Sequence, residues 1–162
     1  MTIREKILDV LCNDARTPHK KIAVMLGVTE ESVTAEIAAM EKEGVIVKYT
    51  ALVDTAKLDR SMVEAYIELR VNPSGTQGFE GIAEEIGRYP EVKNLYLMSG
   101  GYDFAVIVEG KNLREVAMFV SEKLSTLDNI VTTATHFILK RYKAGGVVIG
   151  GGEGGERIKV HA

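Results

Sequence analysis

The stretch IAVMLGVTEESVTAEI, residues 22–37, decides how the first part of this chain folds. Apolar residues recur at helical spacing on both sides of Gly27, a residue that can take the positive φ of a sharp turn. Ala23 lies four positions earlier, where a small side chain lets two helices touch. The inward-facing positions are Ile22, Leu26, Val28, Val33 and Ile37. This spacing predicts a helix-turn-helix, in which the second helix of the pair enters the major groove of DNA.

The flanking residues extend this unit to three helices. An apolar stripe beginning at Ile3 predicts a first helix over residues 2–13. Thr17 and Pro18 predict the start of the second helix, with the threonine as cap and the proline as first helical residue. Thr29 is predicted to cap the third helix, which Gly44 ends. Residues 45–53 are rich in β-forming side chains and predict a connecting strand into the next domain.

The second block alternates strands and helices. Residues 63–71 alternate apolar and polar side chains, which is typical of a half-buried strand. Helical and strand patterns then follow in the order β-α-β-β-α-β, which predicts the ferredoxin-like topology. The further elements are a helix over 79–89, strands near 92–98 and 103–109, a helix from Asn112 and a last strand over 131–141. The second helix is predicted to bury Leu113, Val116, Ala117, Val120 and Leu124.

The predicted fold class is therefore α+β, with a winged-helix-like head and a ferredoxin-like body. The predicted boundaries are a head with its connecting strand over 1–59, a body over 60–143 and a glycine-rich tail over 144–162. In this topology both helices pack on one face of the sheet, so a second subunit is the simplest cover for the other face. The sequence thus predicts a homo-oligomer.

The predicted DNA-binding residues form two groups. The start of the third helix places Thr29, Glu30, Glu31, Ser32 and Thr34 where base edges are contacted. Predicted phosphate contacts come from Arg16, Thr17, Lys20, Lys21 and Lys48. The charge balance opposes binding, since the chain carries −3 overall and residues 29–44 hold five glutamates against one lysine. The phosphate contacts are therefore expected to come from the flanks of the recognition helix.

Several stretches resemble the leucine-responsive regulator and asparagine-regulator (Lrp/AsnC) family. In the head they are Asp14-Ala-Arg-Thr17, the residues around Gly27, and Gly44-Val-Ile46; in the body they are residues 97–104 and 129–135. The resemblance spans residues 3–143. It implies dimers that assemble into octamers or larger rings, bind double-stranded DNA and respond to free amino acids. One departure is Glu36, at a recognition-helix position where the family usually has arginine.

A candidate effector site lies in the body. A free amino acid needs clustered N–H or hydroxyl donors for its carboxylate and an acceptor for its ammonium group. The turn Ser99-Gly100-Gly101-Tyr102-Asp103 offers backbone donors and a carboxylate, and Thr133 and Thr135 offer hydroxyls from one face of the last strand. The resemblance implies a pocket between subunits bordered by this loop and strand. The alternative is a plain hairpin turn capped by Asp103, with the threonines as ordinary strand residues.

Other functions find little support in the sequence. His19, His136 and His161 have no metal-ligand spacing, and neither a catalytic motif nor a cofactor motif is present, so we expect no enzyme activity, metal or cofactor. The single Cys12, predicted to be a buried thiol, fits a reducing cytoplasm. The chain shows no secretory signal and no apolar stretch long enough to cross a membrane.

Two other functions remain compatible with the sequence. One is an interaction or architectural module of the same fold whose acidic recognition helix does not contact DNA. The other is an enzyme, because some haem-pathway decarboxylases resemble this two-domain layout; against it, the body offers only His136 and dispersed arginines. The role of the tail is also open: residues 147–149 and 158–160 are short β-like runs, either an arm on a neighbouring subunit or a free end.

Overall fold

The computed structural model describes residues 1–58, 62–73 and 78–149. The chain divides into two compact units, Met1–Ala51 and Leu52–Ala162, which are described separately below. The domain boundary predicted after residue 59 falls at residues 59–61, outside the described part of the chain.

The head consists of three helices, as predicted. They are α1 (Ile3–Asn13), α2 (His19–Leu26) and α3 (Glu30–Lys42). Thr2 caps α1 in a capping box with Glu5, and Gly44 lies just after α3 with a φ of 73°. The seven buried residues of the head core are Ile7, Leu11, Ile22, Ala23, Val33, Ile37 and Met40. The inward-facing residues of the predicted turn thus hold the three helices together.

Two local predictions in the head were wrong. Thr17 does not cap α2: Pro18 is the N-cap residue, with an extended ψ of 142°, so that the helix begins at His19. The backbone N–H of Thr17 instead donates to the carbonyl of Asp14 at 3.1 Å. Cys12 is exposed rather than buried, because it lies beyond the edge of the buried stripe of α1.

The connecting strand predicted for residues 45–53 does not form. These residues have the expected β-forming side chains, yet Val47 is 85% exposed. A strand needs a neighbour to accept its backbone hydrogen bonds, and no strand of the described residues pairs with this segment. The β propensity of these residues alone is therefore not enough to form a strand.

The body has the predicted β-α-β-β-α-β order. Its elements are β1 (Val63–Val71), α4 (Gly78–Gly87), β2 (Val92–Leu97), β3 (Phe104–Gly110), α5 (Leu113–Glu122) and β4 (Ile130–Phe137), with short 3-10 helices at Thr55–Lys57 and Leu124–Thr126. The strand order is β2-β3-β1-β4 and every neighbouring pair is antiparallel. The predicted ferredoxin-like fold is confirmed, with β3 inside the sheet as expected.

Both helices pack on one face of this sheet. The core combines alternate residues of β1, including Ile67 and Leu69, with Ile82 and Ile86 of α4 and with α5. The buried face of α5 is rotated relative to the prediction: Leu113 and Ala117 are exposed, whereas Phe119 is buried. The sequence stripe missed this because Phe119 packs edge-on against the ring of Tyr89, a contact between distant parts of the chain.

The last strand and the tail also differ from the prediction. β4 ends at Phe137, four residues before the predicted end at 141. Beyond it, β5 (Lys143–Ala144) and β6 (Val147–Val148) form a small hairpin around two glycines with positive φ. The second β-like run of the tail, residues 158–160, lies outside the described residues.

Candidate functional sites

The turn between α2 and α3 has the geometry that its sequence predicts. Gly27 adopts the left-handed conformation, with φ 68° and ψ 36°, and the N–H of Val28 donates to the carbonyl of Ala23 at 3.0 Å. Thr29 caps α3, its hydroxyl accepting from the N–H of Ser32 at 3.2 Å. The predicted base-contacting residues therefore occupy the cap and first turns of α3.

The outward side of α3 is joined to the start of α2. His19 Nδ1 lies 2.9 Å from the hydroxyl oxygen of Thr34, so the two side chains are hydrogen-bonded. Beside this pair a groove of ≈ 330 Å³ opens between α1, α2 and α3. Thr17 and Tyr49 also line it. The predicted positions Thr17 and Thr34 are thus brought to one side of the head.

Three of the five glutamates in residues 29–44 have partners within the head, and one of those partners, Arg4, carries a positive charge. The Arg4 guanidinium lies 3.1 Å from a carboxylate oxygen of Glu36 and 2.6 Å from one of Glu43. The same hydrogen bond lowers the pKa of Glu43 and raises that of Arg4. The hydroxyl of Tyr49 donates to Glu41 at 2.9 Å.

Only Glu30 and Glu31 carry carboxylates of α3 without such a partner among the described residues. Both are exposed in the first turn, where the helix dipole favours negative charge. The net charge counted from the sequence therefore overstates the repulsion that a phosphate backbone would meet.

The predicted phosphate-contacting cations face solvent. Lys20 and Lys21 are exposed in the first turn of α2, and Arg16 and Lys48 are exposed in the flanking loops. The backbone N–H of Arg16 donates to the side chain of Asp14 at 3.0 Å, which holds the loop before α2. Sequence analysis missed the roles of Arg4 and His19, because their partners lie 32 and 15 residues away.

In the body, Asp103 ties the predicted effector loop to the end of β1. Its N–H donates to the carbonyl of Leu69 and its carboxylate accepts from the N–H of Val71, both at 2.8 Å. Its carbonyl accepts from the N–H of Met98, also at 2.8 Å, which closes the loop. One carboxylate oxygen of Asp103 is thus committed to the fold.

The rest of this loop exposes its backbone. Gly100 has a φ of 155°, which favours glycine, and the guanidinium of Arg70 donates to the carbonyl of Gly101 at 2.7 Å. Within the described residues, the N–H groups of residues 99–102 have no hydrogen-bond acceptor. Three of these residues, Ser99, Gly100 and Gly101, are exposed, so their N–H groups are available to an anion.

An aromatic and charged cluster joins the loop to the open face of the sheet. The hydroxyls of Tyr66 and Tyr102 are hydrogen-bonded, and this bond together with burial raises the pKa of Tyr66 to about 12. His136 packs 6.2 Å from the ring of Tyr66, and its Nε2 lies 3.4 Å from a carboxylate oxygen of Glu68. Sequence analysis did not propose Tyr66 or Glu68, although the alternation of residues 63–71 already placed them on the outer face.

Thr133 and Thr135 lie on the helix-covered face of the sheet. They are paired with Leu69 and Ile67 of β1, whose side chains are buried there, and both threonines are half-buried. Leu69 pairs on its other side with Phe104, next to the loop. The loop and Thr133 therefore share one end of the sheet but are separated by β1, roughly 10 Å apart at two strand spacings.

Two known domain patterns account for most of the chain. A winged helix-turn-helix DNA-binding pattern matches residues 2–47, and the Lrp/AsnC ligand-binding domain matches residues 64–148. The chain belongs to the Lrp/AsnC family. It is therefore a DNA-binding transcriptional regulator of the Lrp/AsnC type with an amino-acid-binding domain, as the sequence resemblance predicted.

Individual relatives of this Lrp/AsnC protein agree. It is 44% identical to the uncharacterized transcriptional regulator YugG of Bacillus subtilis over 99% of both chains. It is 30% identical to the proline dehydrogenase transcriptional activator of Rhodobacter capsulatus, over 83% of this chain and 87% of that one. These curated relatives are regulators. Because the match to YugG covers nearly all of both chains, the glycine-rich tail has a counterpart in that sequence.

Solved structures confirm the fold. A transcriptional regulator from Neisseria meningitidis, crystallised as a complex with L-methionine, superposes with a TM-score of 0.71 at 19% identity, covering 89% of this chain and 92% of that one. In the described part of the Lrp/AsnC chain, no three potential ligand side chains gather as they would around a metal ion. No helix of the described residues is long and apolar enough to cross a membrane.

Proposed function

We propose that this protein is a cytoplasmic regulator whose binding to double-stranded DNA is tuned by a free amino acid. The observation that carries the DNA-binding surface is the exposure of Lys20 and Lys21 at the start of α2, beside an α3 whose Glu36 and Glu43 are paired with Arg4. Unpaired cations on an exposed surface attract phosphates, and the pairing of Glu36 and Glu43 with Arg4 reduces the opposing negative charge.

The proposed contacts divide between α2 with its flanking loops and the start of α3. Arg16, Thr17, Lys20, Lys21 and Lys48 bind phosphates, which positions the head without selecting a sequence. The start of α3 enters the major groove and presents Thr29, Glu30, Glu31, Ser32 and Thr34 toward base edges. A carboxylate there can accept from the amino group of cytosine.

In the proposed effector site, the loop of residues 99–103 forms the side that binds the anionic group of the ligand. The available N–H groups of residues 99–102 bind the carboxylate of the amino acid, and Asp103 supplies an acceptor for its ammonium group through the oxygen not bonded to Val71. Thr133 and Thr135 supply hydroxyls. Because these threonines lie on the helix-covered face and β1 separates them from the loop, the proposal takes the loop and the threonines from different subunits, in a pocket between subunits such as the family resemblance implies.

The proposed assembly is a homodimer that associates further, up to an octamer or larger ring. Within the described chain, helices cover one face of the body sheet, and residues 45–53 have no strand partner and expose Val45, Val47, Leu52 and Val53. A second copy can satisfy both surfaces. The regulated genes are those of amino-acid metabolism; support comes from the Rhodobacter relative, named as an activator of proline dehydrogenase transcription.

A thermal-shift screen of the full chain against the twenty amino acids tests the effector. At a ligand concentration one hundred times Kd, mass action stabilises the bound state by about 2.7 kcal/mol, which corresponds to a rise in Tm of roughly 5–10 °C. Thr133→Val should weaken the effective ligand roughly threefold to tenfold, the range expected for one lost hydrogen bond.

Thr132→Val is the matched control, since Thr132 is paired with Arg70 and points to the opposite face of β4. The effector proposal fails if none of the amino acids raises Tm or changes DNA affinity. A ligand that binds Thr133→Val and wild type equally would remove the threonines from the site while leaving the effector in place.

A further inference from the structure

The outward face of α3 is defined by four exposed residues, Glu31, Ala35, Ala38 and Lys42. Successive helical residues are rotated by roughly 100°, so these four fall within an arc of roughly 60°. They lie opposite the buried residues Val33, Ile37 and Met40. The face that a docked α3 turns to the base pairs is therefore dominated at its centre by two alanines.

This face lacks the side chains that usually recognise purines. Arg or Lys binds guanine through two acceptors, and Asn or Gln binds adenine, but none of these residue types occurs between Glu30 and Glu41. Lys42 is the last residue of α3, and Glu36 is turned away toward Arg4. Bidentate recognition of purines is thus unavailable from the first three turns of this helix.

Between Glu31 and Lys42 at its two ends, this face is apolar. The side chains of Ala35 and Ala38 are single methyl groups, and the hydroxyl of the neighbouring Thr34 already has a partner in His19. Among the four base pairs, the major groove offers one apolar group, the C5-methyl of thymine. Alanines also let the helix backbone come close to the base edges, because no long side chain holds it away.

We propose that Ala35 and Ala38 are specificity-determining residues that select thymine methyl groups in each half of the operator. The inference rests on the proposed docking of α3 in the major groove and concerns what this surface recognises there. Glu31, on the same face, accepts from a cytosine or adenine amino group next to these thymines. The phosphate contacts of α2 contribute affinity without sequence preference.

The test begins with a duplex selected by the full-length protein from a random-sequence pool. Each thymine is then replaced in turn by deoxyuridine, which removes the C5-methyl group and nothing else. Loss of one methyl contact should weaken binding about fourfold at the thymines that contact Ala35 and Ala38. This factor corresponds to the free energy of burying one CH₂ group, about 0.8 kcal/mol. Other thymines in the duplex should be insensitive.

Variants assign the contacts to residues. Ala35→Gly and Ala38→Gly should each abolish the thymine-to-uracil effect at one position of the half-site. Ala39→Gly is the matched control, since it has the same helix-propensity cost but lies half-buried on the flank of α3. Because the measured quantity is the ratio of two affinities for one variant, a loss of overall stability cancels.

Three results would overturn the inference. If the protein selects a sequence but no thymine is sensitive to deoxyuridine, the methyl contacts are absent while DNA binding stands. If sensitive thymines exist but keep their full effect in both glycine variants, other residues make the contacts. If no duplex is selected at all, the proposed DNA-binding function fails together with the inference.

Discussion

Removing the two exposed lysines of α2 should change how DNA binding depends on salt. Lys20 and Lys21 stand in the first turn of α2, and neither forms an ion pair within the described residues. The double change Lys20→Gln and Lys21→Gln deletes two positive charges per chain and keeps side-chain length. Because both side chains are exposed, the head core and its fold should be unaffected.

The size of the effect follows from counterion release. The logarithm of the binding constant falls with the logarithm of salt concentration with a slope of about −0.9 per phosphate contact. Four cations per chain, Arg16, Lys20, Lys21 and Lys48, give eight contacts for a dimer and a slope of about −7. Loss of four contacts leaves about −3.6, so the drop in affinity between 50 and 200 mM salt shrinks from roughly 10⁴-fold to roughly 10²-fold.

Fluorescence anisotropy measures this slope directly. The protein is titrated into a labelled duplex from upstream of its own gene at a series of KCl concentrations. Lys6→Gln is the control, an exposed lysine on α1 outside the proposed interface. Light scattering on the same samples confirms that both variants keep the wild-type oligomer. A double variant that keeps the wild-type slope would refute this docking of α2, and so would a control that loses as much slope as the double variant.

Two further predictions concern the body. Gly110→Ala should lower the free energy of unfolding by about 1–3 kcal/mol in chemical denaturation, because its Cβ would lie 2.9 Å from Val116 Cγ2. Gly87→Ala, in open space without a positive φ, should raise it by about 0.4–1 kcal/mol. Equal effects of the two changes would show that space around Gly110 is not limiting. The ammonium group of Lys123, 2.5 Å from a carboxylate oxygen of Glu91, lowers the pKa of Glu91 below its ordinary value of 4.5. The stability that this pair contributes is therefore present above pH 4.5 and is lost as the pH falls through the folded-state pKa. Glu91→Gln should therefore be less stable than wild type at neutral pH and equal to it in strong acid, and a difference that persists there would exclude the pair as its source.

Local patterns in the sequence were sufficient to predict most of the fold. The strand at Val63–Val71 and the turn at Gly27 depend on side chains within a few residues of each other, and both were confirmed. Residues 45–53 failed because a strand is defined by a partner, and β propensity carries no information about where one lies. The rotated face of α5 failed for a similar reason, since Phe119 packs against a ring thirty residues away.

The candidate sites divide in the same way. The loop of residues 99–103 was recognisable from its two glycines and its carboxylate, because a turn is a local feature. Its connection to Tyr66 through the Tyr102 hydroxyl was not, since the two tyrosines lie 36 residues apart and meet only when β1 and β3 pair. Sequence analysis therefore found the residues of the loop but not Tyr66, the β1 residue that contacts it.

In the proposed docking, affinity and specificity of this head depend on different surfaces, and the consequence is measurable. The cations lie on α2 and the flanking loops, whereas the centre of the outward face of α3 is occupied by Ala35 and Ala38. Contacts to phosphates release counterions, but a methyl–methyl contact releases none. The absolute affinity should then fall steeply with salt, while the ratio between thymine and deoxyuridine duplexes stays constant across the same titration. A ratio that fell in parallel with the affinity would mean that charged side chains, and not Ala35 and Ala38, distinguish the bases.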